Sequence, residues 1–173
     1  MALTKPVFIV GFMGAGKTTY AKKLASKLEV PAIDLDAKIC TFTGYNSIAE
    51  LVKEKGITHF REIEQNVLKT ISTTPQVIST GGGTPCFFKN MDWMKQQGTV
   101  VFLNVSSAII LSRLKTTDLN NRPLLKNLND SELELFVTEK LAERLPFYKL
   151  AHLEFNPIKQ TLDELVKLLI LEY

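Results

Sequence analysis

Cysteine is nearly absent from this 173-residue chain. Cys40 and Cys86 stand alone, without paired spacing or histidine neighbours. A disulfide framework and a cysteine-rich metal site are therefore excluded, and both thiols read as small apolar residues. Cys86 keeps some prospect of reactivity because it follows a glycine-rich loop. His59 and His152, the only two histidines, have no partner pattern and read as incidental. No apolar run approaches the roughly 18 to 20 residues of a membrane span. Lys5-Pro6 passes straight into an apolar segment, so no cleavable signal peptide is expected. The net charge is only +3 and no basic run occurs, which leaves no face for a nucleic acid. These absences describe a cytoplasmic protein without membrane or nucleic-acid partners.

Arginine is scarce too. Seventeen lysines accompany only Arg61, Arg113, Arg122 and Arg144. A chain that covers its surface with lysine tends to keep arginine for planar, bidentate donation to carboxylate or phosphate.

Against this background one motif stands out. Gly11-Phe-Met-Gly14-Ala15-Gly16-Lys17-Thr18 follows the apolar run Val7–Val10 with the spacing of a phosphate-binding P-loop. Its glycines allow backbone N–H groups to converge on an anion, Lys17 adds a point charge, and the Thr18 hydroxyl can ligate Mg²⁺. Tyr20, Leu24 and Leu28 share one helical face, so the loop opens a helix whose N-terminus also favours phosphate. A nucleoside triphosphate is the expected ligand.

Strands are predicted at Val7–Val10, Ala32–Leu35, Gln76–Ser79, Val100–Val105 and His152–Phe155. Helices are predicted at Thr19–Leu28, from about Ser47 to Ile71, and at Ala108–Leu114, Asp130–Tyr148 and Thr161–Leu171. Alternation of this kind predicts an α/β fold, a parallel sheet with helices on both faces, and chemistry beyond the carboxyl ends of the strands. The length predicts a single domain over residues 1–173. Residues 115–129 lack a period, are rich in Asn, Thr and Lys, and contain Arg122-Pro123; they read as a lid.

Three further segments carry candidate chemistry. In Asp34-Leu35-Asp36, an extended backbone would aim both carboxylates at one site, one for Mg²⁺ through water and one to accept a hydroxyl proton. The competing reading makes Asp36 an N-cap for the following helix. Gly81-Gly82-Gly83 gives up backbone entropy, as expected where backbone amides approach a ligand, or else forms a plain flexible turn. No acid closes that strand, so Ser79 or Thr80 must do what remains of the usual aspartate's work. Arg61, within Phe60-Arg61-Glu62-Ile63-Glu64, could instead pair locally with Glu64 or Gln65 on the surface. Arg144 falls near a helix end that Pro146 disturbs.

Taken in order, these segments resemble the shikimate kinase family over almost the whole chain. The P-loop alone is general; the specific part is Asp34-Leu-Asp36, Phe60–Glu64, Gly81–Gly83, Arg122-Pro123-Leu-Leu, and Arg144 four residues before Tyr148. The resemblance implies a P-loop three-layer sandwich with a five-stranded parallel sheet in order 2-3-1-4-5, a lid near 115–129 and a substrate-binding region near 35–65. It implies transfer of the γ-phosphate of ATP to the 3-hydroxyl of shikimate, by a monomer using one Mg²⁺. Lys17, Asp36 and Arg122 would be catalytic. Gly14, Ala15, Gly16, Lys17, Thr18, Thr19, Arg113 and Arg122 would bind ATP, with Arg113 lying on the adenine. Asp36, Arg61, Gly81, Gly82, Gly83 and Arg144 would bind shikimate, and Thr18 and, through water, Asp34 would serve the metal. Phe155-Asn-Pro-Ile158 is shorter than is common in the family and holds no arginine, which leaves the closure over the base open. Other expectations carried forward are a different small-molecule P-loop kinase, such as a gluconate kinase, and a non-catalytic nucleotide-binding module.

Overall fold

The computed structural model describes residues 3–116, 125 and 128–171. Its centre is a five-stranded, all-parallel sheet in order β2-β3-β1-β4-β5, made by β1 (Val7–Val10), β2 (Ala32–Asp34), β3 (Val77–Ser79), β4 (Thr99–Leu103) and β5 (Leu153–Phe155). Every residue of β1, β3 and β4 is buried, whereas the edge strands β2 and β5 are only partly covered. Continuous apolar runs suit central strands covered on both faces, and the shorter, more polar runs take the edges.

Around the sheet lie α1 (Lys17–Leu28), α2 (Leu35–Thr43), α3 (Ile48–Lys55), α4 (Ile57–Lys69), α5 (Asn90–Gln97), α6 (Ser107–Thr116), α7 (Asp130–Tyr148) and α8 (Leu162–Leu171). The long helical stretch expected from Ser47 to Ile71 is two helices. Gly56 breaks it with φ 85° and ψ 161°, a conformation that residues with a Cβ rarely adopt. Helix α7 has the expected bounds because Asn129 and Glu132 form a reciprocal capping box. Two elements, α5 and a short 3-10 turn at Thr84–Cys86, were not anticipated. In α5 the apolar stripe is thin, with buried Met91 and Met94 set among polar residues, so its periodicity is weak.

Register turns this frame into a site. Asp34 at the end of β2 pairs with Ser79 at the end of β3, and β3 runs beside β1, which ends at the P-loop. The carboxyl ends of three neighbouring strands thus deliver Asp34, Ser79 and the P-loop to one edge of the sheet.

Candidate active site

Gly16 occupies a left-handed conformation (φ 100°) at the N-cap of α1, and no side chain caps that helix. No acid lies in its first turn. The orphan N–H groups and the positive end of the helix dipole are therefore kept for an anion. Lys17 folds back and donates from Nζ to the Phe12 carbonyl at 3.0 Å. Thr18 and Thr19 are exposed, and Ala15 is buried beneath the loop. Arg113, on α6, donates from Nη1 to the carbonyls of Gly14 (3.1 Å) and Ala15 (2.6 Å), so it grips the P-loop backbone.

Asp34 is the hub beside the loop. Its Oδ2 accepts from Thr18 Oγ1 at 2.8 Å and from Ser79 Oγ at 3.0 Å, while Oδ1 accepts from the Ala37 amide at 3.2 Å. Asp34, and not Asp36, is therefore the N-cap of α2. The two carboxylates do reach one cleft, but not through strand alternation: the chain turns from strand to helix between them. The missing acid on β3 is explained as well. The acid beside the end of β3 is Asp34 from the adjacent strand, to which Ser79 donates. Thr80 instead donates to the Ile9 carbonyl at 3.1 Å inside the sheet. A hydroxyl, a carboxylate and a second hydroxyl form an oxygen-only donor set that fits Mg²⁺, a cation that keeps most of its waters. Among the described residues no cluster of three or more His, Cys, Asp or Glu could hold a metal by itself.

Asp36 lies in the first turn of α2. The protein packed around its carboxyl raises its pKa to about 6; Asp34 and Glu64 add to the rise, and Lys17 and Arg61 oppose it. The residue still presents surface to the cleft, so solvent there screens the energetic cost of its charge. The carboxyl is nevertheless poised to exchange a proton near neutral pH.

The triple glycine is explained by space. A Cβ on Gly81 would stand 2.8 Å from Glu64 Oε1 and 3.3 Å from Asp36 Oδ1. On Gly82 it would stand 3.4 Å from Arg144 Nη1, and on Gly83 2.4 Å from Arg61 Nη2. Each glycine thus admits a charged side chain of the cleft. Tyr148 fixes the turn by donating to the Gly82 carbonyl at 2.6 Å, its ring stacked on Phe102. Burial raises the Tyr148 pKa well above the ordinary phenol value, so the hydroxyl stays a donor.

Arg61 does pair with Glu64, at 2.7 Å, but not on the surface. Glu64 is fully buried, and its other oxygen accepts from the buried Thr84 hydroxyl at 2.7 Å. Arg144 is also buried, with its guanidinium 5.6 Å from the Phe12 ring centre. Sequence reasoning gave Glu64 no role of its own. Its signal was an acid four residues after Phe60 and three before Val67, on the apolar face of α4. Cys86 is half-buried with its thiol pushed up to about 11 by burial, which makes it a poor nucleophile at neutral pH.

A single cleft of about 750 Å³ is lined by Gly14, Gly16, Lys17, Thr18, Thr19, Asp34, Asp36, Arg61, Gly81, Gly82, Gly83, Arg113 and Arg144. Every described residue expected at the site borders it except Ala15, which lies beneath the loop. Arg122 and most of the expected 115–129 lid lie outside the described residues. Leu125, from that segment, is buried and lines the cleft.

A P-loop at the carboxyl edge of a 2-3-1-4-5 parallel sheet, opening on a cleft with an acid and clustered arginines, defines a P-loop kinase. The family model described as shikimate kinase matches residues 13–172. A shikimate kinase of Bacteroides fragilis is 44% identical over 147 residues, covering 84% of this chain and 81% of that protein. The crystal structure of shikimate kinase from Bacteroides thetaiotaomicron superposes with a TM-score of 0.87 at 40% identity, covering 96% and 98% of the two chains. Shikimate kinase from Acinetobacter baumannii in complex with shikimate gives 0.84 at 30% identity, covering 96% and 93%. A gluconokinase from Sinorhizobium meliloti, at 17% identity and a TM-score of 0.60, shares the fold alone. The chain belongs to the shikimate kinase family. It is a kinase with ATP as co-substrate.

Proposed function

We propose that the chain transfers the γ-phosphate of ATP to the 3-hydroxyl of shikimate, giving shikimate 3-phosphate and ADP on the route to chorismate. One observation carries this reading: Asp36 borders the same cleft as Lys17 of the P-loop and Arg61 and Arg144 of the arginine end. An acid so placed can serve a hydroxyl whose molecule is held by its carboxylate and whose target is a phosphate.

The P-loop amides, Lys17, Thr18 and Thr19 hold the phosphates, and Arg113 supports this end from α6. Thr18 and, through water, Asp34 would hold Mg²⁺, which would supply charge neutralisation at the phosphates. Arg61 and Arg144 take the substrate carboxylate, and Gly82 contributes a backbone amide. Asp36 accepts the hydroxyl proton as that oxygen bonds to the γ-phosphorus. The bond from phosphorus to the β-bridging oxygen breaks, and ADP leaves with the electron pair. Lys17 and Arg122 stabilise charge on the transferring group. Two arginines for one carboxylate suit a small polyol acid better than a nucleoside monophosphate. In this reading the protein acts as a single-domain monomer in the cytoplasm.

A coupled ADP-release assay comparing shikimate, gluconate and nucleoside monophosphates at equal concentration tests the reading. Release that depends on shikimate is the expected result. Faster release with gluconate, or release independent of any acceptor, overturns it.

A further inference from the structure

The Arg61 guanidinium is held by more than Glu64. Its Cζ lies 4.9 Å from the Phe60 ring centre and 4.6 Å from that of Phe87, distances at which a cation is attracted to a ring face. Its Nε is buried and has no hydrogen-bond partner. Hydrogen bonding on its own does not define this guanidinium's pose; rings and the bare Gly83 backbone complete the enclosure. Phe60 borders the cleft, whereas Phe87 does not. Phe87 therefore meets Arg61 from outside the volume a substrate would fill.

The chain is bent to put Phe87 there. Phe88 (φ 49°) and Lys89 (φ 57°) are consecutive left-handed residues with side chains, a conformation that persists only where the surroundings impose it. Asn90, fully buried, imposes it here: its amide N–H donates to the Phe87 carbonyl at 2.9 Å and its Nδ2 to the Thr84 carbonyl at 3.0 Å. The Cys86 amide donates to the Gly83 carbonyl at 2.9 Å, tying the same turn to the glycine loop. Phe87 itself remains 39% exposed, so hydrophobic burial alone does not account for so constrained a turn.

We propose that Phe87 is a positioning residue for substrate recognition, its ring face fixing the Arg61 guanidinium in the pose that receives the substrate carboxylate. The inference rests on the reading of Arg61 as a carboxylate ligand. Losing a cation–π contact of this kind weakens binding roughly two- to thirtyfold. The effect falls on substrate binding and not on phosphoryl transfer, because Phe87 lies outside the cleft that Lys17 and Asp36 line.

The experiment uses full-length Phe87→Ala, Phe87→Leu and Phe87→Tyr, with steady-state kinetics and shikimate calorimetry. Phe87→Ala is expected to raise KM for shikimate by that factor, with KM for ATP unchanged and kcat altered less than about twofold. Phe87→Tyr keeps the ring face and is expected to restore the parent value; Phe87→Leu keeps bulk without the face and is not. In an Arg61→Gln background the Phe87 substitutions lose their effect on shikimate binding, since the contact they alter is gone. Leucine at the parent level, an unchanged KM in Phe87→Ala, or an undiminished effect without Arg61 each overturns the proposal. Should Phe87→Ala fold poorly, the leucine–tyrosine comparison decides. A parent enzyme that neither binds nor phosphorylates shikimate removes the functional reading and this proposal together; a parent active on shikimate with insensitive Phe87 variants removes the proposal alone.

Discussion

If Asp36 is the proton acceptor, its raised pKa must appear in the pH dependence of the reaction. An ordinary aspartate with a pKa near 3.8 would be about 94% ionised at pH 5, and activity would barely change between pH 8 and pH 5. With a pKa of about 6, ionisation is about 90% at pH 7 and about 10% at pH 5. The value of kcat/KM for shikimate, which reports the free enzyme, is thus expected to fall close to tenfold between pH 7 and pH 5. Asp36→Asn is expected to lower kcat by roughly 10²- to 10⁴-fold and to abolish that limb. The fold should persist, because the α2 cap is Asp34, whose Oδ1 holds the Ala37 amide. Stability follows with a definite sign. The folded state binds more protons here than the unfolded state between pH 6 and 3.8, so ionised Asp36 costs stability above pH 6, and that cost is relieved as pH falls through this window. Asp36→Asn should therefore melt at or slightly above the parent temperature at pH 7, the gain kept small by solvent in the cleft. A flat kcat/KM from pH 8 to pH 5, or near-parental turnover in Asp36→Asn, would refute the assignment.

Arg61→Lys and Arg144→Lys keep charge but lose the planar fork; each is expected to raise KM for shikimate about tenfold to a hundredfold with KM for ATP nearly unchanged. Unaltered shikimate kinetics in both variants would remove the clamp. Gly83→Ala places a methyl where Arg61 Nη2 stands 2.4 Å away, so it should mimic the Arg61 defect; a normal KM would mean the guanidinium has room elsewhere. His152 accepts the Val100 amide on Nδ1 at 3.0 Å, which needs the neutral ring, and burial followed by Lys95 lowers its pKa. Its contribution is present above pH 6.5 and is lost as pH falls through the depressed value. The melting temperature of Asp36→Asn, free of the opposing aspartate effect, should then drop below pH 6.5, and the drop should be absent when His152→Gln is added.

The P-loop, the alternation of strands and helices, and the bounds of α7 were legible in the chain because they rest on local rules: glycine spacing, apolar periodicity and a capping box. The ordered set of segments also pointed to the family, since residue types such as scarce arginine and paired aspartate are chemical requirements visible without coordinates. Other features depended on contacts between distant residues. Parallel register across β2 and β3 set Ser79 against Asp34 and supplied the acid that β3 lacks. The cap of α2 fell to Asp34 because the strand ended one residue earlier than its apolar run suggested. Gly81, Gly82 and Gly83 look alike in sequence, yet they make room for Glu64 of α4, Arg144 of α7 and Arg61 of α4 in turn. The burial of Glu64 and the pKa of Asp36 arise only when α2, α4 and the glycine loop close around one volume. Local propensity fixes what each segment becomes, whereas desolvation and charge coupling exist only after folding has brought the segments together.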